Sequence, residues 1–367
     1  MKIAVIAPPF LSIPPVKYGG TEKIIYYLVE GLVKRGVDVT LFASGDSHTS
    51  ATLFPVIEKP FGNSGFLKDN YLQSLMYFSK CIKEHQSFDI IHNHAQYLPL
   101  FLTDLISTPV IHTWHGSFYK GETTEERRAL LQMMKHQKFI SISNNQQQAL
   151  PELNYIGTVY NGVDTNFFKF QPRKTEDKYI VWIGRIVAKK GPKTAILAAL
   201  KAGIPIKLSA AIDPIEQPYF DAEIKPLVDN KLVTFLGELP PEELVPLYQN
   251  ALCSLVCIEW HEPFGLVMAE SMACGTPVIA YNIGSVPELI TDGATGYIIN
   301  NGTNANTIIK ENGIEGMCKA IKMLDKMNEN QYLSMRETAR KTVKDNFSID
   351  SMVENYIKIY QNIINHS

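Results

Sequence analysis

No stretch of this 367-residue chain approaches the roughly 18 uninterrupted apolar residues of a membrane-spanning helix. The opening run, Met1-Lys2-Ile3-Ala4-Val5-Ile6-Ala7, meets Pro8-Pro9 and is too short for a signal-peptide core, so it reads as a first buried strand. Cysteine is scarce. Five residues (Cys81, Cys253, Cys257, Cys274, Cys318) are an odd number without the spacing of a disulfide framework. Together these absences predict a cytoplasmic protein. An excess of charge of either sign is also lacking: the net value of −2 gives no reason to expect nucleic acid or an anionic membrane as partner. No Asp-x-Asp occurs, so the metal-dependent way of gripping a diphosphate is not visible, and neither an essential metal nor a cofactor is expected. No Gly-x-Gly-x-x-Gly follows the first strand, which weighs against a dinucleotide-binding dehydrogenase. Gly191-Pro192-Lys193-Thr194 ends like a P-loop but lacks the spacing that cradles phosphate.

What is present is a globular composition, 45% hydrophobic and 20% charged, on a chain long enough for two domains. Short apolar runs alternate with helical patterns. Residues 2–7, 37–43, 88–92, 110–114, 138–142 and 155–160 read as strands, with helices over 21–34, 67–83 and 124–134 between them. Strands rich in Val and Ile separated by helices imply a doubly wound parallel sheet. A Pro-, Phe- and charge-containing stretch over 161–178 suits a crossing linker. A second α/β series follows, with strands over 179–183, 206–210, 233–236, 253–257 and 277–280, and helical sequence from about 307 onward. The last segment carries Ile349, Met352, Val353, Tyr356, Ile357, Tyr360 and Ile364, an apolar stripe that needs something to pack on. The predicted organisation is a first Rossmann-like domain over 1–163, a second over 164–347, and a terminal helix over 348–367. Open parallel sheets bind ligands beyond the carboxyl ends of their strands, so the chemistry is expected in loops after strands, at a cleft between the two domains.

Two such loops stand out. In Gly184-Arg185-Ile186-Val187-Ala188-Lys189-Lys190-Gly191 a strand ends, and Arg185 and Lys190 project before the next helix begins. Arginine binds phosphate oxygens bidentately and lysine adds a compact charge, a suitable pair for a diphosphate; a solvated basic loop is the plainer alternative. The second is Glu259-Trp260-His261-Glu262-Pro263-Phe264-Gly265-Leu266, running into a helix that carries Glu270 and stops near Gly275 and Pro277. The first-turn N–H groups of Phe264, Gly265 and Leu266 suit an anion, with the carboxylates of Glu262 and Glu270 on either side to accept hydrogen bonds from hydroxyls. Either glutamate alone reads equally as a cap or a surface charge.

With these motifs in view, the chain resembles the retaining glycosyltransferases of family 4, which have the B-type (GT-B) fold. The resemblance spans nearly the whole chain. It rests on Tyr18-Gly19-Gly20-Thr21-Glu22, Asn161-Gly162-Val163-Asp164, Gly184-Arg185…Lys190-Gly191 and Glu262…Glu270 with Ala273-Cys274-Gly275-Thr276-Pro277. Pro287-Glu288-Leu289-Ile290 and Asp292-Gly293-Ala294-Thr295-Gly296-Tyr297 complete it. It implies a nucleotide-sugar donor, UDP-linked or GDP-mannose, on the second domain, an acceptor on the first, and the terminal helix crossing back to the first. Arg185 and Lys190 would hold the leaving diphosphate, with Gly184 at the head of their loop. Glu262 would bond the donor sugar, Glu270 the ribose, and the Gly20 N–H the phosphates. His115, within His112-Thr113-Trp114-His115, matches the family's histidine near the reacting sugar.

Other readings stay open. A nucleotide-sugar 2-epimerase on the same fold, or a non-catalytic sugar-nucleotide-binding protein, would share the donor loops. His92 and His94, with His112, His115 and nearby Asp89, have the ligand types for a metal, but no Cys or carboxylate cluster closes a shell, so they read as structural or cleft-lining. Tyr18 and Tyr97 are candidate acceptor contacts by location. The acceptor is a carbohydrate, a lipid-linked sugar or a small molecule, and a lipid-linked one would bring peripheral membrane contact. Lys322, Lys326, Arg336, Arg340, Lys341 and Lys344 read as a solvated helical face or a basic patch.

Overall fold

The structure, a computed structural model, describes residues 1–16, 19–62, 70–95, 97–171, 178–302 and 306–366, with backbone alone at 70–73. The chain divides into two units, one built from Met1–Gly162 with Ile349–Ser367 and the other from Val163–Ser348.

In the first unit strands and helices alternate as β1 (Lys2–Ile6), α1 (Gly20–Lys34), β2 (Asp38–Ser44), β3 (Thr52–Ile57), α2 (Asn70–Lys83), β4 (Ile90–Asn93) and α3 (Leu100–Thr103). They continue as β5 (Val110–Thr113), α4 (Glu125–Met133), β6 (Lys138–Ser141), α5 (Asn144–Ala149) and β7 (Tyr155–Thr158). All pairings are parallel, in the order β3-β2-β1-β4-β5-β6-β7. The order reverses between β1 and β4, the switch point at which open sheets leave a crevice. Helix starts follow local chemistry: Thr124 Oγ1 accepts from the Arg127 N–H to cap α4, and Ser143 Oγ from Gln146 to cap α5.

The second unit runs β8 (Ile180–Arg185), α6 (Pro192–Ala202), β9 (Ile206–Ala211), a short α7 (Gln217–Tyr219), β10 (Val233–Phe235), α8 (Pro241–Asn250) and β11 (Cys253–Val256). After these come α9 (Leu266–Ala273), β12 (Val278–Tyr281), α10 (Val286–Leu289), β13 (Gly296–Ile299), α11 (Gly313–Asp325) and α12 (Glu329–Asn346). Its parallel sheet has the order β10-β9-β8-β11-β12-β13, reversing between β8 and β11. The strands are buried along most of their length, and Ile180, Trp182, Leu208, Leu255, Ile279 and Ile299 are core residues. The decoy Gly191-Pro192-Lys193-Thr194 is a helix start: Gly191 takes a left-handed φ of 69° and Pro192 occupies the first helical position, where its missing N–H costs nothing.

The last helix, α13 (Ile349–Asn365), belongs to the first unit. Its stripe of Met352, Val353, Tyr356 and Tyr360 is buried. It approaches α1 so closely that a Cβ on Gly31 would lie 2.5 Å from Val353 Cγ2. Arg35 reaches from α1 to Asp350 at 2.7 Å.

Three sequence expectations need adjustment. Strands β3 and β13 were not expected. The first carries Pro55, tolerated because β3 is an edge strand, and the second is four residues long directly after a turn. The helix expected over 67–83 begins, within the described residues, at Asn70, and 67–69 lie outside them. Arg336 is on neither a solvated face nor a patch: it is 1% exposed and donates to the carbonyls of Gln171 and Gln249. Arg340 likewise turns inward, to the carbonyls of Thr165, Phe168 and Ala273, because this side of α12 packs on α9.

Candidate active site

The second unit gathers its chemistry at the switch point. Arg185 is the last residue of β8 and is exposed. Gly184 leaves the space that Trp182 needs, since a Cβ there would sit 3.2 Å from the indole. A single 3-10 turn, Ala188–Lys190, then carries Lys190, whose ammonium pairs with the Glu262 carboxylate from the loop after β11. The same ammonium lies 5.0 Å from the centre of the Trp260 ring, and the Trp260 Nε1 is buried without a partner. Both members of the pair are mostly covered, with side chains 20% and 17% exposed.

Backbone contacts hold the two loops together. Glu259 N donates to Lys189 O at 2.9 Å, and a Cβ at Gly191 would lie 2.1 Å from the Cys257 carbonyl oxygen, so only glycine allows this approach. On the other side Ser285 N donates to Glu262 O at 3.1 Å and Ser285 Oγ to Phe264 O at 2.7 Å. The Phe264 side chain is 2% exposed and meets Phe347 edge-on at 5.7 Å, which leaves only its backbone to a ligand. Gly265 turns the chain at φ 84° into α9, where the Met268 N–H already donates to the Gly265 carbonyl at 3.0 Å and the N–H groups at the very start of a helix, such as that of Leu266, precede the first i−4 acceptor. Glu270 sits one turn further along the same helix, 6% exposed.

In the first unit Gly20 opens α1 at the carboxyl end of β1. The crowded position is its neighbour Gly19, where a Cβ would lie 2.7 Å from Pro15 Cβ. Tyr18 lies outside the described residues. His115 heads a line of hydrogen-bonded imidazoles: its Nε2 is 2.9 Å from His94 Nδ1, and His94 Nε2 is 3.3 Å from His92 Nδ1. His92 Nδ1 also meets the Tyr360 hydroxyl at 2.7 Å, and its Nε2 meets Thr113 Oγ1 at 2.7 Å, which continues to the Tyr356 hydroxyl at 3.2 Å. Each neutral imidazole has one donor and one acceptor nitrogen, so the proton positions along the line, that of His115 included, are coupled to one another. Burial keeps these rings neutral. It holds His92 and His94 well below the usual histidine range, with the neighbouring imidazoles adding to the effect, and lowers His115 to about 4. His112, on the opposite face, bonds Asn93 at 3.0 Å and is lowered by burial to about 3.

Among the described residues no group of three His, Cys, Asp or Glu side chains is arranged to hold a metal, and no helix is long and apolar enough to cross a membrane. All five cysteines are free and buried; burial is the main force pushing the thiols of Cys253, Cys257 and Cys274 upward. Sequence reasoning placed Lys190 and Glu262 on separate loops without pairing them. It also missed Ser285, which bonds the second loop from a distant turn, and Gly284, where a Cβ would lie 2.6 Å from Glu262 N; neither carries a motif of its own.

Two parallel α/β units, with cationic and carboxylate loops at the switch point of the second, define the two-domain GT-B class of sugar-transferring enzymes. Residues 18–167 match the family described as Glycosyltransferase Family 4 and residues 163–334 match Glycosyl transferases group 1. The chain belongs to the glycosyltransferases of the family 4 type and is a hexosyltransferase-type enzyme. It is 24% identical over 343 residues to the D-inositol 3-phosphate glycosyltransferase of Corynebacterium diphtheriae, covering 77% of this chain and 78% of that one. It is 23% identical to Spore coat protein SA of Bacillus subtilis, over 98% and 99% of the two chains. The fold is shared with sucrose-phosphate synthase of Thermosynechococcus elongatus (TM-score 0.81, 19% identity, full coverage of both chains). It is also shared with Anabaena Alr3699/HepE, solved with UDP-glucose (TM-score 0.72, 18% identity, 100% and 99% coverage).

Proposed function

We propose that the enzyme transfers a hexosyl group from a UDP-sugar, with GDP-mannose as the alternative donor, to an acceptor hydroxyl with retention of configuration. The second unit holds the donor and the first the acceptor. The observation that carries this reading is the Lys190–Glu262 pair at the switch point of the second sheet, on the loop that leads into the start of α9. The UDP-glucose bound by Anabaena Alr3699/HepE supports the donor class.

Arg185 and Lys190 grip the diphosphate while the N–H groups of Phe264, Gly265 and Leu266 face its outer oxygens. Glu262, released from Lys190, accepts hydrogen bonds from the donor sugar, and Glu270 accepts those of the ribose. Gly20 offers its N–H to the phosphates, and His115, held neutral, donates to or accepts from the sugar. As the glycosidic bond breaks, its electron pair passes to the diphosphate oxygen, where two fixed cations stabilise the growing charge. The acceptor oxygen forms its bond to the same face of the sugar, and its proton goes to the departing phosphate. No step calls for a metal, and full activity in excess chelator is expected; loss restored by added Mg²⁺ or Mn²⁺ refutes that.

Melting curves with UDP-glucose, UDP-N-acetylglucosamine, UDP-galactose and GDP-mannose test the donor. A ligand at a hundred times its Kd stabilises the folded form by about 2.7 kcal/mol. A rise with one UDP-sugar is expected, and no rise with any overturns the reading. Donor incubated without acceptor separates transfer from isomerisation, since an altered sugar still attached to its nucleotide marks a 2-epimerase.

A further inference from the structure

The first unit contains an apolar pocket of ≈ 450 Å³ that none of the motifs above accounts for. We propose that it holds the apolar end of an amphiphilic acceptor, so that the molecule whose hydroxyl receives the sugar also carries an aliphatic or aromatic group. This rests on the glycosyl transfer proposed above.

The walls are Phe10 from the loop after β1, Phe78 of α2, Tyr97 after β4, Phe101 of α3, and Leu130 and Met133 of α4. The volume falls within the range of pockets that take small organic ligands, and such pockets are mostly apolar. Phe101 and Met133 are 48% and 74% exposed, large apolar side chains left uncovered at a concave surface. Among the described residues of the wall, polar groups are few. Ser74, Glu126 and Arg127 contribute, but the Arg127 guanidinium already stacks 5.2 Å from the Tyr97 ring centre, and the Tyr97 hydroxyl already meets Thr123 Oγ1 at 3.3 Å. A bare sugar ring needs a hydrogen-bond partner for most of its hydroxyls, and among the described wall residues Ser74, Glu126 and Arg127 are too few for that. An alkyl chain or an aromatic ring asks only for apolar contact, and methionine adapts to either.

Position ties the pocket to the chemistry. Its walls come from the loops after β1 and β4, the two strands at which the sheet order reverses. Ala95, also in the wall, follows His94, whose Nδ1 is bonded to His115. The Tyr97 ring centre is 4.1 Å from that of Trp114, the residue before His115. Pocket and reacting-sugar histidine therefore share a wall, and an acceptor anchored by its apolar end keeps its polar end near the site of transfer.

Isothermal titration of the whole enzyme with methyl, phenyl and octyl β-glucoside, the last below its micelle concentration, tests this. The phenyl or the octyl glucoside, or both, should bind at least tenfold tighter than the methyl glucoside. Phe101→Gln and Met133→Gln should each remove most of the gain, and because both residues are exposed, unchanged melting of the variants can be checked beforehand. A gain with octyl alone marks an aliphatic end and a gain with phenyl alone an aromatic one, and either supports the proposal. Equal affinity for all three, or a gain that survives in both variants, overturns it. The titration needs no turnover, so a failure of the donor reading shows separately, as the lack of any nucleotide-sugar effect on melting.

Discussion

At Lys190 a carboxylate from 72 residues further along the chain pairs with the ammonium proposed to hold the donor diphosphate. Lys190→Ala is expected to lower turnover about 10²–10³-fold, the usual loss when a fixed donor to developing charge is removed. Rapid-quench turnover with melting as a control measures it, and a loss under threefold in a folded variant contradicts the assigned role. Short-range features of this site were legible in the sequence. Gly191 and Gly265 announce turns that lead into a helix, where local sterics decide the outcome, while Gly184 and Arg185, read as the end of the strand, are its last two residues. Which side chains meet across those turns was not legible, because it depends on the register of β8 against β11. The same holds for His92, whose partner Tyr360 lies 268 residues away.

Among the elements, α13 shows how a readable pattern leaves its partner unstated. The apolar period marks one buried face, yet nothing in the stripe names α1 as the surface it covers or Gly31 as the point of closest approach. Gly31→Ala should destabilise the protein by about 1–3 kcal/mol, since overpacking displaces a stiff β-branched neighbour. Val353→Ala removes the methyl groups that a Cβ at Gly31 would strike, so the double variant should recover part of the loss. Denaturant unfolding of the two single variants and the double gives the coupling. Strictly additive losses would mean that the helices do not press on one another here. The edge strands β3 and β13 escaped sequence reading for a related reason: short or proline-bearing strands carry little period, and their place is set by the neighbour they pair with.

For the molecule as a whole, the buried histidines set a direction for stability against pH. Burial lowers all four, His112 to about 3 and His115 to about 4. Above pH 6.5 they are neutral in the folded and the unfolded chain alike. Below it the unfolded chain takes up protons that the folded one refuses, so stability falls as pH drops from about 6.5 toward those lowered values, by at most about 1.4 kcal/mol per unit for each ring. Glu22, raised by burial, works in the opposite sense. Scanning calorimetry should show a melting temperature that is level between pH 7 and 8 and declines steadily from 6.5 to 5. A level course down to 5 would mean that the rings are solvated. The doubly wound class of both units was legible from alternation alone, since parallel strands buried on two faces must be covered by helices. The order of strands was not, because it is set by which crossovers form.

The return of α13 to the first unit has a consequence for the order of manufacture. A chain grows from its amino end, and domains usually close as they emerge. Here the seven-stranded half is translated first but stays unsealed along α1, with His92 and Thr113 lacking their tyrosine partners, until the whole of the second half has left the ribosome. The part made earliest is thus the part finished last, and a nascent chain stalled before residue 349 would carry a complete second half joined to an open first one.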